Sequence, residues 1–251
     1  MKLFYKRTII FFIFFGFSAA MHAQSPQQIM NSIYEKYDSS NFLTFNVKFL
    51  YSTDTVGGNF NNEILDGSYT IAGSKAKYSL GNVEFLQNDS FFITVYNQEK
   101  IIMVTNPRSY NTGSDIPLRS NIDSLFTAYN KSYLITNTLT SGTGQIKFDR
   151  ADSTAMYDKF YITYNDSTKH ITTLEYQFKE PELTNDDDTT GAPPKYIMRK
   201  KILRVEFSSY RLDNFSPDSY NENNYIWFEE EECVPVEKFK GYKVYYSRSK
   251  L

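Results

Sequence analysis

The sequence predicts a mainly β fold of the α+β class: a single strongly curved antiparallel sheet with helices covering its concave face. Three observations lead there. Apolar and polar residues alternate over many short stretches, tight turns of Gly, Asn, Asp and Ser separate them, and only two stretches carry a helical period. The chain also holds 21 Phe and 21 Tyr in 251 residues. Aromatic side chains favour strands and bury large areas, which suits a sheet with one apolar face.

The elements follow in order. Ser25 is placed to cap a helix, with Pro26 at its first position and Gln28 able to reach back to the cap. Ile29, Ile33, Tyr34 and Tyr37 then recur at helical spacing, which predicts an amphipathic helix over 25–38. The period switches to two at Leu43, Phe45, Val47, Phe49 and Tyr51, a long half-buried strand. After a Gly/Asn turn at 57–62, strands are expected at 67–71, 75–80, 83–87, 90–96 and 100–105, an antiparallel meander. Ile122, Leu125, Phe126 and Tyr129 predict a second helix over 119–130. Strands resume at 132–139, 145–150, 159–165, 170–179 and 195–210, with polar loops at 180–194 and 212–224. The tail from Tyr225 to Tyr246 offers one or two edge strands.

The first 23 residues stand apart. Lys2, Lys6 and Arg7 precede an apolar run of 13 residues, Thr8 to Ala20, and Ala19, Ala20 and Ala23 follow or close it. That is the pattern of a secretory signal peptide cut between Ala23 and Gln24, too short for a membrane span. No Cys follows the run, so no lipid anchor is expected. The expectation is a single exported domain, 24–251, in the periplasm, without a stable membrane anchor.

Charge and composition narrow the function. The chain has 27 basic and 29 acidic side chains, and three of the basic ones lie in the leader. The remaining 24 against 29 give a mildly acidic domain, which argues against nucleic acid as a partner. With one Cys, Cys233, no intrachain disulfide can form. His170 is the one His beyond the leader. A His/Cys zinc site needs three or four ligands, and a Ser-His-Asp triad would have to use His170, with no G-x-S-x-G elbow to present a nucleophile. His170 reads as a surface residue at a strand start. Gly142-Thr143-Gly144 lacks the third glycine of a dinucleotide fingerprint and joins two strands, so it reads as a turn. Asp186, Asp187 and Asp188 are adjacent rather than alternating and do not match a calcium loop. Neither an enzyme nor a cofactor is expected. Two charge clusters remain: Lys195, Arg199, Lys200, Lys201 and Arg204 on one strand, and Glu229 to Glu232 on another. They suit a solvated sheet face paired across strands, or else a docking patch for a membrane or a partner protein.

One ordered pattern goes further. A helix ends near Tyr37, and Phe45-x-Val47-x-Phe49 follows on a strand. Gly67-Ser68-Tyr69-Thr70-Ile71 leads through a turn to Lys75-Ala76-Lys77-Tyr78. The polar pair Asn88-Asp89 precedes Phe91-Phe92-Ile93-Thr94-Val95-Tyr96, and Ile101-Ile102-Met103-Val104 closes the series. Over about 27–130 this resembles the periplasmic outer-membrane lipoprotein carrier family. The resemblance implies an unclosed β-barrel of about eleven strands lidded by helices. Its apolar cavity would take up acyl chains of lipoproteins or other lipids, with no covalent chemistry and no cofactor. The candidate ligand-binding residues are Ile29, Ile33, Phe45, Val47, Phe49, Tyr69, Ile71, Tyr78, Val95, Ile122, Leu125 and Phe126. The family places an Arg-Pro pair where this chain has Ala72-Gly73-Ser74, so its lid closure is not carried over. The alternative is an interaction or sensor module of the same fold that binds an envelope partner protein and holds no lipid.

Overall fold

A computed structural model describes residues 24–38, 42–52, 63–107, 129–153, 155, 157–183, 196–212, 216–230 and 232–247. Helix α1 (Pro26–Asp38) opens it. The expected cap is present in both directions: Gln28 N–H donates to Ser25 Oγ at 3.2 Å, and Ser25 N–H donates to Gln28 Oε1 at 2.9 Å. The leader, the 57–62 turn, most of the expected second helix and the 184–195 part of the acidic loop lie outside the described residues.

Fourteen strands follow among the described residues: β1 (Phe42–Ser52), β2 (Glu63–Ala72), β3 (Lys75–Leu80), β4 (Val83–Gln87), β5 (Phe92–Tyr96), β6 (Ile101–Thr105), β7 (Tyr133–Thr140), β8 (Thr143–Arg150), β9 (Lys159–Asn165), β10 (Ile171–Leu183), β11 (Tyr196–Arg211), β12 (Ile226–Glu229), β13 (Glu232–Pro235) and β14 (Lys243–Ser247). Twelve of them form one curved, unclosed sheet in the order β14-β6-β5-β4-β3-β2-β1-β11-β10-β9-β8-β7, against the eleven or so expected. β12 and β13 pair only with each other. One departure from an antiparallel sheet stands at the edge, where β14 runs parallel to β6. The chain reaches that edge after crossing the sheet, so it enters in the direction of β6.

β1 is the seam. It pairs with β2 from Phe42↔Ala72 to Tyr51↔Glu63 and with β11 from Thr44↔Arg211 to Ser52↔Ile202. Its odd-numbered residues Leu43, Phe45, Val47 and Phe49 join the buried Ile29, Ile33 and Tyr37 of α1 in one core. Neighbouring strands repeat this parity, so one face of the whole sheet meets the helix and the other does not. Glycine serves close approach at two places. A side chain at Gly67 would press on Ser79 O at 2.6 Å, and one at Gly144 would enter the Tyr164 ring at 2.0 Å. Gly144 is thus a strand glycine under an aromatic ring, beside a turn at Ser141-Gly142, as the rejected dinucleotide pattern implied.

α1 is tied to the sheet by a closed set of hydrogen bonds. Ile171 N–H donates to Tyr37 Oη at 2.9 Å, Tyr37 Oη–H donates to Tyr210 Oη at 2.8 Å, and Tyr210 Oη–H donates to Ile171 O at 2.7 Å. Burial raises the pKa of both phenols, so they stay protonated and able to donate.

The C-terminal segment forms a second layer that the sequence did not announce. Expected as a loop and edge strands, residues 216–247 instead carry three 3-10 turns (Pro217–Tyr220, Glu222–Asn224, Glu237–Phe239) and the β12–β13 hairpin. Tyr220, Tyr225, Ile226 and Phe239 bury Leu86, Ile93, Val95, Ile102 and Val104 from the face opposite α1. Asn88, in the β4–β5 turn, holds this layer. Its Nδ2 donates to Tyr220 O at 3.1 Å and Glu222 Oε2 at 2.7 Å, and its Oδ1 accepts from Ser90 and Phe91 N–H at 2.9 and 2.8 Å.

Two outcomes follow. Tyr37→Phe is expected to cost about 1–3 kcal/mol, because it leaves the buried Ile171 N–H without an acceptor. Adding Tyr210→Phe should cost less than the sum of the two single changes in urea unfolding, since both break one ring; full additivity would refute the coupling. Asn88→Ala should lower stability by about 2–3 kcal/mol and raise protease sensitivity within 216–242 ahead of the rest of the chain. Uniform cleavage along the chain would show that Asn88 does not hold this layer.

Candidate ligand-binding face

The helix-covered face carries a continuous row of rings. Phe207 of β11, Phe45 of β1, Tyr69 of β2, Tyr78 of β3, Phe85 of β4 and Phe92 of β5 lie on six successive strands. Neighbouring centroids are 5.8, 5.3, 4.9, 4.2 and 6.1 Å apart. Cross-strand register builds the row: Phe45 faces Tyr69, Tyr69 faces Tyr78, and Tyr78 faces Phe85. Such stacked pairs add about 0.5–1.5 kcal/mol each beyond burial. A second group lies on the other half of the same face. Phe148 stacks on Phe160 at 4.1 Å and Phe160 on Tyr176 at 5.2 Å, with Tyr133 edge-on to Phe148 at 6.2 Å. Burial pushes the Tyr176 phenol up to about 12.

The two ends of the first row differ in cover. Phe45 and Val47 are closed off beneath Ile29 and Ile33. Tyr69, Tyr78 and Phe85 are only half-buried, and farther along the same face Met103 is 42 % exposed. The expected residues therefore separate. Ile29, Ile33, Phe45, Val47 and Ile71 are packed core, Phe49, Tyr69 and Tyr78 are partly open, and Ile122, Leu125 and Phe126 lie outside the described residues. Val95 stands apart from the others. It pairs with Ile102 and Glu84 on the opposite face and is buried under the C-terminal layer. The cause is legible: β5 is buried on both faces, so alternation does not say which side each residue takes. Phe85, absent from the expected set, occupies the row instead, and its place follows from its register opposite Tyr78.

The basic strand resolves into cross-strand pairs. Arg204 donates from Nε and Nη2 to Glu175 at 3.0 and 2.7 Å. Arg199 and Lys201 both reach Glu182, at 3.0 and 3.4 Å. Lys201 is buried, with its ammonium 5.9 Å from the Tyr51 ring centroid, and Tyr51 Oη–H donates to Glu180 at 3.2 Å. Arg199, Lys201, Tyr51, Glu180 and Glu182 stand on the helix-covered side where β10 and β11 run beyond their neighbours, so the apolar face ends there in a polar rim, whereas Arg204 and Glu175 lie on the opposite face.

The opposite face is polar between β3 and β9. An open groove of about 690 Å³ is lined there by Asn46, Lys48, Asp66, Ser68, Glu206 and Ser208, among others. A smaller one of about 320 Å³, with Tyr161, Glu175 and Arg204, adjoins it through Thr173 and Glu206. Neither has the apolar walls that an acyl chain requires. Among the described residues no group of three His, Cys, Asp or Glu could hold a metal ion. No helix there is long and apolar enough to cross a membrane. Cys233 is half-buried, and burial pushes its thiol up, away from the reactive thiolate.

No protein-family model and no curated protein matches the chain. Solved structures do. The chain is similar to a LolA superfamily protein from Nitrosomonas europaea, at 13% identity and a TM-score of 0.34, over 79% of this chain and 98% of that one. It is similar to an outer membrane lipoprotein-sorting protein domain from Vibrio parahaemolyticus, at 10% identity and 0.33, over 78% and 96%. A third likeness is to the MucA/MucB complex of Pseudomonas aeruginosa, at 8% identity and 0.32, over 78% of this chain and 60% of that one.

His170 is not the free surface residue expected. Its ring stacks on Tyr210 at 4.2 Å beside Tyr37, at the foot of α1. Burial first, and the Lys36 charge second, push its pKa below the ordinary 6.5. The unfolded chain then binds the proton more readily, so stability present above pH 6.5 is lost as pH falls through the folded-state value. Relative to His170→Gln, the natural protein should lose urea resistance between about pH 7 and about pH 5. A difference that does not change over that range would remove His170 from the account.

Proposed function

We propose that this chain is a non-enzymatic carrier or binding protein for acylated cargo in the periplasm, with the acyl chain lying along the aromatic row. The observation that carries the reading is the row from Phe207 to Phe92 on the helix-covered face, half-open at Tyr69, Tyr78 and Phe85. Stacked rings present a long apolar strip with few hydrogen-bonding demands, which suits a methylene chain. The polar rim at Lys201, Glu180 and Glu182 suits the wet end of an amphiphile. The leader-like first 23 residues and the sequence resemblance to lipoprotein carriers supply compartment and cargo class.

A second reading, an interaction module of the same fold without lipid, has one observation in its favour. Ile29, Ile33 and Tyr37 fill the space above Phe45 and Val47 with side chains.

Two measurements separate them. Lipid extracted from protein purified out of its native compartment should contain acylated species by mass spectrometry. A fluorescent fatty acid should bind the purified protein, and Tyr78→Lys should weaken it by about tenfold or more, because a charge in the row must be desolvated. Asn46→Lys, on the opposite face, should leave binding unchanged. No extracted lipid together with equal binding by the two variants would favour the interaction module.

A further inference from the structure

A sheet that curves around a helix is convex on its outer face, yet this one carries a groove there. The larger part, of about 690 Å³, runs from Ser79 of β3 across β2, β1 and β11 to Thr173 of β10. The smaller, of about 320 Å³, shares Thr173 and Glu206 with it and continues through β9 to Gln145 of β8. The groove thus crosses seven adjacent strands. At about 4.8 Å between strands it spans roughly 29 Å.

Two bulges bend the sheet at this level. Between Ile171↔Tyr164 and Thr173↔Thr163, β10 has one residue more than β9. Between Thr44↔Arg211 and Asn46↔Ser208, β11 has one residue more than β1. Strand residues alternate between faces, so a regular β10 would turn either Thr172 or Thr173 toward α1; with the bulge both line the groove. The β11 bulge includes Ser209, whose φ of 56° is a left-handed conformation that residues other than glycine seldom adopt. Strain of this kind persists where the surroundings enforce it, and it clusters at binding sites.

The lining is dense in hydrogen-bonding groups, and its charges nearly offset. Lys48 stands across from Asp66 on one side and from Glu206 on the other. Among the described residues none of these three side chains makes an ion pair or a hydrogen bond. In the smaller part Arg204 and Glu175 already hold each other, and Tyr161 beside them is half-buried.

We propose that this groove binds a linear, uncharged oligosaccharide. The Asp66 and Glu206 carboxylates accept from sugar hydroxyls, Lys48 and Asn46 donate to sugar oxygens, and the Tyr161 ring packs against the C–H face of a pyranose. An acyl chain would leave these polar groups without partners, and a polyanion would meet two free carboxylates for one free ammonium. The length of the groove favours several linked rings over one. The proposal is independent of the acyl-chain reading, since the aromatic row lies on the other face of the sheet.

The test is calorimetric titration of the purified protein with cellotetraose, maltotetraose and N-acetylated chitotetraose, and with spermidine as a polyhydroxyl-free cation. At least one tetrasaccharide should bind, more tightly than its disaccharide and with little dependence on salt, since the ligand carries no charge. Asp66→Ala and Glu206→Ala should each weaken that binding by at least about tenfold, the usual loss for a hydrogen bond to a charged group. Both side chains are exposed, so the variants should fold, which circular dichroism checks. Fluorescent fatty-acid binding should be unchanged in both. The proposal is overturned if no tetrasaccharide binds more tightly than about 1 mM, if both variants bind it as the natural protein does, or if spermidine binds more tightly than all three sugars.

Discussion

The register of β1 is the constraint on which the rest of this molecule depends. It is hydrogen-bonded on both sides, to β2 and to β11, and so joins the two antiparallel meanders into one sheet. A slip of one residue would turn Leu43, Phe45, Val47 and Phe49 away from α1 and put Thr44, Asn46 and Lys48 in their place. Burying those polar groups without partners would cost more than the helix contact contributes. Every inward ring from Phe207 to Phe92 inherits its side from this one alignment.

On that frame the two faces play opposite parts. The helix-covered face is closed near α1 and half-open along Tyr69, Tyr78 and Phe85. The opposite face is polar over β1, β2, β10 and β11 but apolar over β4 to β6, where the C-terminal segment covers it. Asn88 and the Tyr37–Tyr210–Ile171 ring secure the two covering layers with fully used hydrogen-bonding groups, which is how buried polar side chains specify one arrangement instead of loosening it. β4 to β6 are therefore apolar on both sides, and the covering segment returns its last strand to the sheet edge as a parallel neighbour of β6.

Much of this was legible residue by residue. The Ser25–Gln28 cap, the alternation in β1, and the turns at Gly73-Ser74, Ser141-Gly142 and Asn165 to Thr168 depend on neighbours a few positions away, and periodicity records such neighbours. Val95 was not legible, because a strand buried on both faces carries no alternation. His170 was not, because the ring it stacks on is Tyr210, 40 positions later. The place of Phe85 in the row depended on cross-strand register. The C-terminal layer was missed for a related reason: short 3-10 turns and a four-residue-stranded hairpin leave little periodic trace, and their apolar residues are spaced for a surface far away in the chain.

The sequence by itself determined a mainly β chain behind a leader-like segment, with one capped helix, mostly single-faced strands, and a single Cys and a single His beyond that segment. Those conclusions rest on local spacing and on which residue types are present. Only the tertiary structure decided which rings share a row, which cations of β11 are paired across the sheet, and where each half-buried side chain opens. These properties belong to contacts between residues tens to more than a hundred positions apart, whose closure depends on packing and not on any local preference.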